Sequence, residues 1–317
     1  MKKKIIALIM IAALALGIVC SCAKKQDSYT LKVGALNGPT GMGMAKMIAE
    51  KEEDKIAEYT LYGAADEVRA ALLTGELDIA AVPANLASVI YNKTEGKYLI
   101  AAINTLGVLY IVENGNTVSS LSDLEGKTIY ATGQGSTPEY ILGHLLSSAG
   151  VTPAEIVYKT EHSELATLLA SGQADIAMLP QPFVTSVLMK NENLRVAIDL
   201  TAEWQENCEG QTVQGVVMVS KEAIENHAGL VNTFLDKYKK SVEYVNGNAA
   251  EAAEIIAQLG IVGSAAIAEK AIPSCNIVFI DGNEMKTALD AFFRVLFDAS
   301  PASVGGKLPD ENIYYTR

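Results

Sequence analysis

The segment Leu72-x-x-Gly75-x-x-Asp78-Ile79-Ala80-x-x-Pro83 recurs as Leu169-x-x-Gly172-x-x-Asp175-Ile176-Ala177-x-x-Pro180, with every matched pair 97 residues apart. The same offset sets Asn37-Gly38-Pro39-Thr40 against Gln134-Gly135-Ser136-Thr137, and Glu67 against Glu164. Three stretches in one register read as two copies of one supersecondary unit. Each copy alternates short apolar runs with longer helical ones. Thr30–Gly34, Tyr59–Tyr62 and Asp78–Val82 read as strands in the first copy, and Lys127–Ala131, Ile156–Lys159 and Asp175–Leu179 in the second. Helices fill the gaps, one closed by Gly75 and another opened near Pro138. Strand–helix alternation predicts an α/β fold with a mostly parallel sheet in each of two lobes. A chain of 317 residues is long enough for two such lobes.

Two apolar stretches, Tyr98–Val112 and Gln214–Ser220, leave the first and second copies and read as crossings between lobes. The helices that follow return to the first lobe. The expected division is 29–107 with 217–317 for lobe 1, and 108–216 for lobe 2.

The N-terminus is an address. Lys2, Lys3 and Lys4 precede an uncharged run of 15 residues, Ile5–Val19, which is short for a membrane span and suited to a signal-peptide core. The run ends in Val19-Cys20-Ser21-Cys22, where the small Ser21 before Cys22 resembles a bacterial lipobox. That resemblance implies cleavage after residue 21, lipidation of Cys22 and a polar tether over 22–28. The chain would then sit on the extracytoplasmic face of the membrane, held by acyl chains rather than by a spanning helix. An uncleaved anchor or an ordinary secretion signal are the alternatives. Removing residues 1–21 moves the net charge from −12 to −15. A field of that sign repels phosphate backbones, which disfavours nucleic acid as a partner. Only Cys208 and Cys275 then remain, and an exported protein can pair two cysteines; a disulfide between them is a candidate.

The chemistry of an enzyme is not written here. Gly133-Gln134-Gly135-Ser136 is not a nucleophile elbow, and Gly34–Lys46 lacks a phosphate-binding Gly-Lys-Ser/Thr ending. The histidines His144, His162 and His227 follow no metal-ligand spacing and read as surface or helix-end residues. Neither a metal nor a cofactor is expected.

The lipobox, the Val33-Gly34-x-x-x-Gly38 opening and the paired Gly-x-x-Asp-Ile-Ala-x-x-Pro segments resemble a solute-binding lipoprotein of an ABC importer. Leu36–Gly43 and Pro180-Gln181-Pro182-Phe183 are similar to the nitrate/taurine/sulfonate and thiamine-precursor (NMT1/THI5-like) group. The resemblance implies a two-lobed, type II periplasmic-binding-protein-like clamshell with two interlobe crossings. It also implies a small-molecule solute and an ABC permease with a cytoplasmic ATPase as partners. A monomer is expected. A lipoprotein sensor with the same lobes is the alternative, and a cofactor-biosynthesis enzyme on this fold a more distant one.

In open α/β sheets, ligands bind beyond the carboxyl ends of the strands, where helix starts expose N–H groups. The loops meeting that description offer Asn37, Gly38, Thr40, Gly41 and Asn85 in the first lobe. Gln134, Gly135, Ser136, Thr137 and Gln181 are their counterparts in the second. The crossings add Thr105 and Gln214. Asp78 and Asp175, at strand starts, read as structural. None of the arginines Arg69, Arg195, Arg294 and Arg317 falls in these loops, which points to a neutral polar ring, or an oxyanion held by helix-start N–H groups, rather than a carboxylate clamped by arginine. Closure is expected by bending at 104–110 and 213–216.

Overall fold

The computed structural model describes residues 29–153, 155–208 and 210–317. The signal segment, Cys22 and the tether lie outside the described residues. The first copy runs β1 (Leu31–Leu36), α1 (Pro39–Ala49), α2 (Lys51–Asp54), β2 (Ala57–Tyr62), α3 (Ala65–Thr74), β3 (Ile79–Pro83), α4 (Ala84–Lys93) and β4 (Tyr98–Leu106). The second runs β5 (Leu109–Asn114), β6 (Thr128–Thr132), α5 (Thr137–Ser148), β7 (Glu155–Lys159), α6 (His162–Ala170), β8 (Ile176–Pro180), α7 (Phe183–Lys190), β9 (Leu194–Asp199) and α8 (Leu200–Asn207). The chain continues through β10 (Val213–Ser220), α9 (Lys221–Gly247), α10 (Ala249–Gln258), α11 (Ala265–Ala271), β11 (Ile277–Ile280) and α12 (Gly282–Ala299). The 97-residue offset carries the start of β1 onto β6, of α3 onto α6 and of β3 onto β8.

Local chemistry accounts for the elements. β3 and β8 are buried along nearly their whole length, so both read as continuous apolar runs closed by a proline. α3 ends at Gly75, whose φ of 77° is the left-handed conformation a C-terminal glycine supplies without strain. α12 buries Met285, Leu289, Phe292, Phe293 and Leu296, one stripe of an amphipathic helix. Among the described residues no helix is long and apolar enough to cross a membrane.

The strands form two sheets, ordered β11-β4-β10-β3-β1-β2 and β7-β6-β8-β5-β9. Neither is as parallel as the alternation predicts. β10 lies between β3 and β4 and runs antiparallel to both, and β5 does the same between β8 and β9. The reason is topological: each of these strands enters its sheet directly from a crossing, in the opposite direction to the repeat's own strands. The stretch Tyr98–Val112 is accordingly two strands in two sheets, broken at Gly107. The expected boundary between 216 and 217 falls inside β10, which hydrogen-bonds entirely within the first sheet.

One buried cluster runs through both halves. It holds Leu86 and Ile90 of α4, Ile141 and Leu145 of α5, and Phe292 of α12. Trp204 of α8 is fully buried between Phe292 at 5.5 Å and His144 at 5.3 Å. A second contact between the halves is made where α11 packs against α7.

The two cysteines do not form the candidate disulfide; both are free. Cys275 is buried in the core behind α1, with its Sγ 3.9 Å from Met42 Sδ. Cys208 ends α8 and packs against the other cluster. Burial pushes the Cys275 thiol up to about 12, which leaves it protonated and unreactive at neutral pH.

The crossing at Gly107 is tightly confined. A Cβ there would lie 2.2 Å from the Thr201 hydroxyl and 2.3 Å from that of Thr212. The Gly107 carbonyl also accepts a hydrogen bond from Asn276 Nδ2. Gly107→Ala is therefore expected to destabilise the protein by about 1–3 kcal/mol through overpacking. Urea denaturation should show a lower midpoint at unchanged slope; an unchanged midpoint would contradict this account.

Candidate functional site

A cavity of about 400 Å³ lies where the carboxyl ends of the parallel strands of both sheets converge. β1, β3 and the β2–α3 loop border it from the first sheet; β8 and the β6–α5 and β7–α6 loops border it from the second. Gly38, Ala64, Pro83, Ser136 and Glu161, the residues that precede α1, α3, α4, α5 and α6, all lie on its wall. Four of those helices, α1, α4, α5 and α6, have no side-chain cap at that position. Ser136, for instance, turns its hydroxyl to the Gly133 carbonyl at 2.7 Å. The first-turn N–H groups of such helices favour electronegative atoms.

The sequence-derived residues divide clearly. Asn37, Gly38 and Thr40 line the cavity after β1, and Gln134, Gly135 and Ser136 line it after β6. Gln181 follows β8, and Thr105 and Gln214 come from the crossing strands β4 and β10. Gly41, Asn85 and Thr137 do not line it. A Cβ at Gly41 would sit 2.7 Å from the Leu36 carbonyl, so this glycine serves the close packing of α1 on β1. Asn85 and Thr137 are 1% and 0% exposed. The Thr137 hydroxyl donates to Asn85 Oδ1 at 3.0 Å, and Asn85 Nδ2 donates to the carbonyls of Ser303 at 3.2 Å and Gly135 at 3.4 Å. This cluster joins the two halves behind the cavity. Asp78 is structural as expected: its carboxylate accepts from the Lys32 N–H at 2.8 Å and from the Tyr29 hydroxyl.

Several wall residues escaped the sequence reading. Arg69 falls in none of the loops named from the sequence, yet from α3 it lines the cavity, so an arginine is at hand after all. Its guanidinium pairs with Asp66 at 3.0 Å. Lys159 and Glu161 also reach the wall, and Lys159 pairs with Glu164 at 3.4 Å. The four charged lining residues, Asp66, Arg69, Lys159 and Glu161, balance. Tyr158, His162 and Phe183 supply the aromatic surface. The 97-residue offset carries a signal for this group, because it maps the start of α3 onto the start of α6.

His162 is a helix-end residue, opening α6, and lies on the wall with an internal partner. Its Nδ1 lies 2.6 Å from Thr132 Oγ1, and its ring tilts against Phe183 at 5.2 Å. Burial pushes the imidazole down to about 4, so it is neutral at pH 7. Among the described residues no group of three His, Cys, Asp or Glu side chains could hold a metal ion. Gln181 is oriented by its neighbour: Oε1 accepts from the Thr185 N–H at 3.2 Å and from the Thr185 hydroxyl at 2.8 Å, which turns the amide nitrogen to the other side.

Two outcomes follow from this geometry. Asn85→Ala removes hydrogen bonds between the halves and strands the Thr137 hydroxyl, so it should cost about 1–3 kcal/mol in denaturant unfolding; unchanged stability would contradict the structural role. The unfolded chain takes up the His162 proton near pH 6.5, whereas the folded chain does so only near pH 4. The unfolded state therefore binds more protons in that window, and stability falls as pH drops through it. In His162→Gln, the drop in melting temperature between pH 7 and pH 5 should be smaller than in the unmodified protein.

Comparison with known proteins places the fold. Residues 97–252 match the family model described as NMT1/THI5 like. None of the curated proteins matches the chain. An ABC transporter protein of Parabacteroides distasonis is 24% identical, with a TM-score of 0.77 over 91% of this chain and 99% of that one. The alkanesulfonate-binding protein of Xanthomonas axonopodis pv. citri, bound to MOPS, is 15% identical, with a TM-score of 0.68 over 89% and 94%. A Candida albicans gene product described as having the generic periplasmic binding protein structural fold is 16% identical, with a TM-score of 0.59 over 90% and 93%. With a mixed sheet in each half and a cavity between them, the chain has the periplasmic binding protein fold, and its residues 97–252 carry the NMT1/THI5-like family match, as the resemblance in the sequence implied.

Proposed function

We propose that this protein is the extracytoplasmic solute-binding component of an ABC importer, which captures a small polar solute in the cavity and delivers it to a membrane permease coupled to an ATPase. The carrying observation is the cavity itself. It takes equivalent loops from both copies of the repeat and has the two crossing strands at its floor. Solute contacts to both halves favour the state in which the halves are together, which is how binding drives closure. The similarity to ABC transporter binding proteins supports the same role. Cys22 would be the lipid anchor, keeping the protein on the outer face of the membrane as a monomer. The lobes would be the two sheets with their helices, bending where the chain crosses at Gly107 and before Val213. A binding rather than a catalytic role is supported by the likeness to solute-binding proteins.

The balanced wall charge favours a solute that is neutral overall or zwitterionic. A second reading, an alkylsulfonate or similar oxyanion, is favoured by the uncapped helix starts and by Arg69 on the wall. A thermal-shift screen of sulfonates, nitrate, small heterocycles and amino acids tests both. A solute at a hundred times its dissociation constant adds about 2.7 kcal/mol of stability. Small-angle scattering with the best hit should then show a smaller radius of gyration. A screen without a single stabilising compound would count against solute capture, and an unchanged radius would count against closure.

A further inference from the structure

The deepest part of the cavity carries polar atoms that the protein leaves unused. Thr105, on β4, is 1% exposed, lines the cavity, and its Oγ1 has no hydrogen-bond partner among the described residues. Gln214, on β10, lines the same wall, and its Oε1 is fully buried and equally unpartnered. The two residues sit on neighbouring strands, β4 and β10, where the ladder is irregular between Val213 and Gly215. Gly215, next to Gln214, pairs with Thr105 across the β4–β10 ladder. A Cβ at Gly215 would lie 2.5 Å from Asn104 Oδ1 and 3.1 Å from Thr40 Cγ2, so only glycine lets the two strands close so tightly here.

Buried hydroxyl and amide oxygens without partners are costly in a folded interior. The rest of the cavity does not share this condition. The Thr40 hydroxyl donates to the Leu36 carbonyl at 2.8 Å, Ser136 to Gly133, and Gln181 Oε1 is taken by Thr185. The unused capacity is concentrated at the floor, and it is mainly accepting capacity: a carboxamide oxygen accepts only, and a hydroxyl accepts as well as donates.

We propose that Thr105 and Gln214 form a specificity subsite that receives an N–H or O–H group of the solute at the buried end of the cavity. The inference rests on the solute-binding reading above and goes beyond it. It says that the innermost group of the solute is a hydrogen-bond donor, whatever the chemistry of its outer end. A solute whose inner end is a methyl group or an aprotic oxygen leaves the Gln214 oxygen stranded. Sites built to pair a polar group reject analogues that lack it.

Matched probes test the assignment. Taurine and isethionate are compared with ethanesulfonate, and 3-hydroxypyridine with pyridine, by calorimetry on the unmodified protein and on the Thr105→Val/Gln214→Met variant. At least one donor-bearing probe is expected to bind about tenfold or more tighter than its donor-free partner, with the preference lost in the variant. Thr105→Val alone, without solute, should keep or raise the melting temperature, because it removes an unpartnered hydroxyl. Equal affinities within both sets, or a preference that survives in the variant, would overturn the subsite while leaving solute binding intact. A melting temperature lowered by Thr105→Val would overturn it too, by showing that the hydroxyl is satisfied inside the protein. Failure of every probe to bind the unmodified protein would weigh against the subsite and the solute-binding reading together.

Discussion

Each sheet of this protein is completed by the strand that enters it directly after a crossing. β10 fills the gap between β3 and β4, and β5 the gap between β8 and β9, both antiparallel to their neighbours. A missing central strand would leave two rows of backbone donors and acceptors unpaired in a buried sheet, so neither half is a finished sheet without the crossing. This reciprocal insertion fixes the position of everything else. It brings Gly215 opposite Pro83 and Leu109 opposite Pro180, the two prolines that end the repeat motif. β4, β10 and Val108, just before β5, thus reach the cavity beside the loops of both copies.

Behind the cavity the two halves are not loosely hinged. The hydrogen-bonded cluster of Asn85, Thr137 and Ser303 and the stack of His144, Trp204 and Phe292 bury polar and apolar contacts from both. Those contacts tie the halves together away from the cavity. Under the proposed function, a wall of balanced charge, with Arg69 paired to Asp66 and a neutral histidine held by Thr132, would recognise a solute through hydrogen bonds and shape more than through net charge. That is consistent with a protein whose overall charge is strongly negative and cannot itself attract anions from a distance.

The fold was legible because its signal is periodic. Two copies at a constant offset, each alternating strand and helix, specify two α/β halves, and the prolines after β3 and β8 mark where both copies turn into the cavity. Nine of the twelve proposed contacts lie on the wall for the same reason: ligands meet the carboxyl ends of parallel strands, and the strand ends were visible. The misses have a different origin. Asn85 and Thr137 have the residue types and loop positions of contacts, but each is the other's partner across 52 positions of sequence. Arg69 and His162 belong to α3 and α6, whose preceding loops look ordinary in sequence, and only the packing of both helices beside the cavity puts them on its wall.

The sequence by itself determined the duplicated α/β plan, the two crossings and the residue types available at the strand ends. These depend on hydrophobic periodicity and turn chemistry, which act over a few residues and are written locally. Only the tertiary structure decided the direction of β5 and β10, the separation of Cys208 from Cys275, and which polar side chains are spent on one another and which are left free at the floor. Those outcomes depend on pairing between residues distant in the chain, and burial decides them: a polar group withdrawn from water must find a partner, and sequence order does not say which one lies within reach.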